Sequence, residues 1–224
     1  MKISLTKRLM DKILRLYVLP ILAASIFLFT PVARATPLNL ILFDSPDIMA
    51  GFIDVTYDAG DDLFVADGFA LELDDDGVGD PFQIAGGTMN ITATINDSGT
   101  LVSGTVTYGG TVSSLGYTSG TLLTGNLTAF GFGDAGDPFE FLFDVTGGSA
   151  QDLFGGIGSL AGLILSVTGF DGSFTLDFDN LIAGLPGTGS GVNNAGVPVS
   201  EPATMLLIGF GLIGLAGFSR KHKK

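Results

Sequence analysis

The sequence predicts an all-β protein, an antiparallel β-sandwich of jelly-roll type, with an N-terminal signal helix and one C-terminal transmembrane helix. Three observations lead there. Nine short runs rich in Val, Ile, Thr, Phe and Tyr follow one another closely between Leu38 and Phe178, each bounded by Gly, Asp, Asn or Pro. Several runs alternate apolar and polar residues with period two, and helical periodicity is almost absent between them. The long apolar segments with basic neighbours stand only at the two ends of the chain.

Taken in order, the runs are Leu38–Phe43, Gly51–Tyr57, Phe69–Leu73, Thr88–Ile95, Gly99–Tyr108, Thr121–Phe132, Phe139–Val145, Leu163–Thr168 and Ser173–Phe178. In Met89–Ile95 the apolar residues take the odd positions and Asn90, Thr92 and Thr94 the even ones, which gives a strand with one wet face. Asn96-Asp97-Ser98-Gly99 then supplies a hairpin turn. Phe174, Leu176 and Phe178 alternate with Thr175, Asp177 and Asp179 in the same manner. Gln151–Leu165 admits one short helix, weakened by its glycines. Gly79–Gln83 is echoed by Gly136–Glu140, a weak sign of two equivalent loops in a duplicated unit. The β-domain is expected over residues 36–185. Residues 186–198, rich in Gly, Pro, Ser and Asn, read as a flexible linker.

Charge divides the chain in the same places. All ten Lys and Arg fall in residues 2–34 or 220–224, and residues 36–200 hold 21 of the 23 acidic residues with no His. Nucleic acid is excluded as a partner, because phosphate binding rests on Lys and Arg. Lys2, Lys7, Arg8, Lys12 and Arg15 precede the apolar stretch Leu16–Val32, and Ala33-Arg34-Ala35 has the small-x-small form of a cleavage site. Residues 1–35 therefore read as a secretory signal peptide cut after Ala35; the alternative is an uncleaved anchor. Export usually brings disulfides, yet the chain has no Cys.

This composition removes most catalytic devices. Residues 36–200 have no Cys, His, Lys or Arg, so no Ser/His/Asp or Cys/His arrangement and no zinc site with imidazole or thiolate ligands can form there. Paired carboxylates remain for glycoside hydrolysis. Against that stand the absence of Trp and the presence of only four Tyr. The protein is expected not to be an enzyme. The strongest constellation is Glu72-Leu73-Asp74-Asp75-Asp76-Gly77-Val78-Gly79-Asp80. As a calcium loop it offers carboxylates from Glu72, Asp74, Asp76 and Asp80 and a carbonyl from Val78, since hard cations take clustered oxygens. Its alternative is a solvated acidic turn. Calcium is the one candidate cofactor.

Residues 199–224 combine Ser200-Glu201-Pro202, the uncharged run Ala203–Phe218, and a basic end with Arg220, Lys221, Lys223 and Lys224. The run's 16 residues cover about 24 Å as a helix, just under a hydrocarbon core of roughly 30 Å, and the basic end holds its terminus in the cytoplasm. Motif, run and basic end together resemble the PEP-CTERM sorting tail of exported bacterial proteins, with Ser200 where that family has a first Pro. The resemblance implies recognition of Glu201 and Pro202 by exosortase, a membrane protease. It implies export across the inner membrane, transient anchoring by the C-terminal run, and release to the cell surface or an extracellular matrix with exopolysaccharide as a partner. Tyr117–Val145, with Gly120–Gly125 and Phe139–Phe143, resembles uncharacterised exported β-proteins bearing this tail. The function expected is a non-enzymatic surface or matrix protein. Its rival is a secreted carbohydrate-binding module or glycosidase using paired carboxylates.

Overall fold

The computed structural model describes residues 36–133 and 138–199. Ten strands form in chain order: β1 (Leu42–Asp58), β2 (Leu63–Asp74), β3 (Phe82–Gln83), β4 (Ala85–Ile95), β5 (Leu101–Val112), β6 (Tyr117–Phe132), β7 (Phe139–Gly147), β8 (Leu160–Ser166), β9 (Phe178–Asp179) and β10 (Gly191–Pro198). Hydrogen bonds run from β2 through β4, β5, β6, β7, β8 and β10 to β1, and β1 pairs back onto β2. Eight antiparallel strands thus close a barrel, with β3 added to β2 and β9 to β1.

The barrel corrects the expected sandwich and jelly roll. Period-two alternation says only that each strand has one dry face, and a barrel satisfies that as well as two packed sheets do. Closure depends on the first strand meeting the last: Ala50 lies opposite Asn193 and Ile53 opposite Gly191. Strand β10 falls within the stretch expected as a linker. Its Gly, Asn and small residues carry almost no β-propensity, yet between β8 and β1 they are among the most confined of the chain, with Gly191, Asn193, Ala195 and Gly196 buried. Long strands curve around the barrel through register shifts, as in β1 between Ala50 and Ile53, where Phe52 takes a left-handed φ of 53°.

The alternation itself is borne out. Met89, Ile91, Ala93 and Ile95 are buried, while Thr92 is exposed and Asn90 and Thr94 are half-buried. One end of the interior is filled by rings. Phe170 and Phe174 come from the segment after β8 and pack edge-on or tilted against Phe132 and Phe139, with centroids 4.9–6.0 Å apart. Phe174 also meets Tyr57 at 4.9 Å. The run Ser173–Phe178, expected as a strand, is therefore mainly a plug, and only Phe178–Asp179 pairs, with β1. Phe139 opens barrel strand β7, whereas Phe82 sits in the two-residue β3, so the two Phe of the echo hold different places; Gly136 and Asp137 of its second copy lie outside the described residues.

Among the described residues there is no α-helix. Gln151–Leu165, expected to admit a helix, holds one 3₁₀ turn at Gln151–Phe154; Gly155, Gly156 and Gly158 then turn the chain with positive φ into β8. No helix among the described residues is long and apolar enough to cross a membrane. The expected signal helix of residues 1–35 and the expected transmembrane helix of residues 203–218 lie outside the described residues.

Candidate functional site

One rim of the barrel carries both features the sequence singled out. Here β1 begins at Leu42, β2 ends at Asp74 and β10 ends at Pro198. Asp47 is opposite both Gly196 of β10 and Asp74 of β2. The acidic loop and the start of the C-terminal tail are thus neighbours.

In the acidic loop, carboxylate oxygens of Asp74, Asp75 and Asp76 come within 4.8 Å of one another. The backbone fixes two of them. Asp74 Oδ1 accepts the amides of Asp76 and Gly77 at 3.2 and 2.7 Å, and Asp76 Oδ1 accepts that of Val78 at 2.8 Å. Gly77 takes φ +72°, which turns the loop back above Ser45. Glu72 is drawn elsewhere, accepting Gln83 Nε2 at 2.6 Å, and Val78 and Asp80 stand exposed. Of the five residues expected to bind calcium, the structure groups Asp74 and Asp76, and adds Asp75. Strand pairing ends at Asp74, so side chains beyond it no longer alternate between the two faces of the sheet and Asp75 can turn towards its neighbours.

Negative charge accumulates around this loop. Burial raises the Asp47 carboxyl above the usual Asp value; the Asn194 side chain lowers it, and the charges of Asp74, Glu72 and Asp44 raise it further. Tyr117 is also raised, by burial and then by Asp75 and Asp152. Neither Lys nor Arg occurs in residues 36–200 to offset this field.

The tail leaves the same rim under restraint. Strand β10 is bonded on both sides, by β8 and β1, and the Val199 amide donates to the Ile41 carbonyl at 2.7 Å. Ser200, Glu201 and Pro202 follow directly in sequence, with no free spacer before them. These three, together with Arg220, Lys221, Lys223, Lys224, Ala33 and Ala35, lie outside the described residues.

Grooves among the described residues include two on the outer face. One of about 520 Å³ lies over β4, β5 and β6 and is lined by Thr92, Thr94, Ser103, Thr105 and Asn126, with no carboxylate. Another of about 430 Å³ is bounded by Asp58, Asp177 and Asp179. Those three carboxylates accept backbone amides, of Gly60, Ala59 and Leu181 respectively, at 2.8–3.0 Å. They serve as turn locks for the chain around β9.

Comparison with known proteins adds one finding. Residues 198–221 match the family model described as the PEP-CTERM protein-sorting motif. No curated protein and no solved structure matches the chain.

Proposed function

This chain carries a PEP-CTERM protein-sorting motif, the mark of an exported protein sorted and processed at a membrane by exosortase, and on that premise we propose that it is a non-enzymatic barrel delivered to the cell surface or extracellular matrix. The observation that carries the reading is the junction: the motif starts at residue 198, the last residue of the strand that closes the barrel. The apolar run 203–218 would hold the uncut protein in the membrane, with Arg220, Lys221, Lys223 and Lys224 on the cytoplasmic side. Glu201 and Pro202 would then sit within reach of a membrane-embedded protease. Removal of the tail frees the barrel.

A non-enzymatic role is supported by the side chains present. The described residues offer no imidazole, thiol or amine, and the carboxylates bounding the smaller groove each accept a backbone amide. A carbohydrate-binding or glycosidase role finds less support, because the roomier groove holds no carboxylate. Contact with exopolysaccharide fits a surface lined with Thr, Ser and Asn, and calcium fits the Asp74–Asp76 group.

Fractionation of the native host, with and without its exosortase, tests this. The protein is expected outside the cell from the intact host and in the membrane fraction, tail attached, from the host lacking the protease. The same distribution in both would overturn the reading.

A further inference from the structure

Residues 36–41 lie outside the barrel wall yet are held on it. Leu38, Leu40 and Leu42 are half-buried while Pro37, Asn39 and Ile41 are exposed, so one edge of this strap faces the sheet. Glycines make room for it. A Cβ on Gly131 of β6 would lie 2.4 Å from the Thr36 carbonyl oxygen and 2.8 Å from the Leu38 nitrogen. One on Gly162 of β8 would lie 3.0 Å from Leu42 and 3.3 Å from Leu40, and one on Gly196 of β10 would lie 3.4 Å from Leu42. Larger residues at Gly131 would push the strap off.

Glu140 of β7 closes this channel. It is 6% exposed, and no Lys or Arg occurs in residues 36–200 to neutralise it. Its two oxygens accept successive strap amides, Asn39 and Leu40, each at 2.9 Å. Asn39 has φ +53°, a strained conformation for a non-glycine residue that Asn tolerates best. Successive amides turned this way form a concave anion receptor. A buried carboxylate without a cation needs such donors, so the latch and the strain belong together.

The strap ends where the tail begins. Leu42 is opposite Pro198, and the Ile41 carbonyl receives the Val199 amide. We propose that the strap, latched by Glu140, regulates sorting by limiting how much chain the protease can take up. The inference rests on the proposed processing of the tail. With Val199 held, the four steps from Val199 to Ala203 span at most roughly 14 Å. An extended substrate segment must be drawn from that length. When the strap lifts, Val199 loses Ile41 and its neighbour Pro198 loses Leu42, and the free segment lengthens at the expense of the β10 end. Glu140 is in this account a positioning residue, acting on the tail through Ile41 and Val199.

The test joins two readouts on the full chain in its native host: amide exchange of the purified protein and a pulse-chase of tail removal. In Glu140→Ala the amides of Asn39 and Leu40 should exchange as in free chain while those of β4 stay protected, and tail removal should run several-fold faster. A Gly-Ser-Gly-Ser insertion between Val199 and Ser200 should speed removal by itself and erase the further effect of Glu140→Ala. If β4 also loses protection, Glu140→Gln, which keeps the side-chain volume, is measured for the same outcomes. A strap that stays protected overturns the latch. A strap that is released while removal keeps its wild-type rate overturns the coupling but leaves the sorting reading intact. No tail removal from either the wild type or the insertion variant is a different failure, that of the sorting reading itself.

Discussion

Asp47 shows what an all-acidic surface costs at a single residue. It faces Asp74 across β1 and β2, a directly opposed like-charge pair. Its carboxyl is raised by burial first, then by its acidic neighbours against the help of Asn194. A raised folded-state pKa favours the protonated form in the native protein. The stabilisation is therefore present below the usual Asp range and is lost as pH rises through the raised value. Asp47→Asn should raise the melting temperature at pH 7 and leave it nearly unchanged at pH 3; a loss at pH 7 would contradict the sign. Tyr108 presents the opposite case. Its hydroxyl donates to Asn193 Oδ1 at 2.7 Å inside the barrel. Tyr108→Phe strips that amide oxygen of its donor and should cost about 1–3 kcal/mol in urea unfolding. For the acidic loop, millimolar calcium should raise the melting temperature more than sodium chloride of equal ionic strength, and Asp75→Asn with Asp76→Asn should remove the difference. Equal effects of both salts would leave screening alone. Asp74 and Asp76 were named from the sequence; Asp75 was not, because its carboxylate joins theirs only where the strand stops.

Among the elements, β10 had the weakest sequence signal and has the largest topological role. Met89–Ile95 could be read from alternation alone, because each residue reports its own face. Gly191–Pro198 could not: what makes it a strand is partners about 30 and 150 residues away, and its side chains are too small to announce a dry face. The neighbouring segments confirm how closely it is fitted. Where β10 leaves β1 at Ile53, the Asn180 side chain takes over, accepting the Val55 amide and donating to the Ile53 carbonyl, both at 2.8 Å. Asp54 then binds the amides of Gly187 and Gly189, fixing the approach to β10. Linker and strand respond differently to proline. Ala195→Pro removes a ladder donor in the middle of the closed sheet and should abolish cooperative unfolding of the barrel, as followed by circular dichroism. A linker would accept the change. At the opposite end, Phe174→Ala should cost about 3–5 kcal/mol, since its ring touches six other aromatic rings in the plug.

At the scale of the whole molecule, closure and sorting converge on one rim. The barrel is sealed only when β10 has entered between β8 and β1, and the sorting motif begins at that strand's last residue. The tail's character was legible from residue order and charge, whereas its short leash was not, because a glycine-rich stretch reads the same whether free or buried. The central claim is that the folded barrel extends to Val199 and the tail beyond it is removed. The intact mass of the protein recovered outside the native host tests it most directly. The account predicts a chain that begins at Thr36 and ends between Val199 and Ala203. A mass that includes residues 203–224 would contradict removal of the tail, and an end before Gly191 would contradict the closed barrel.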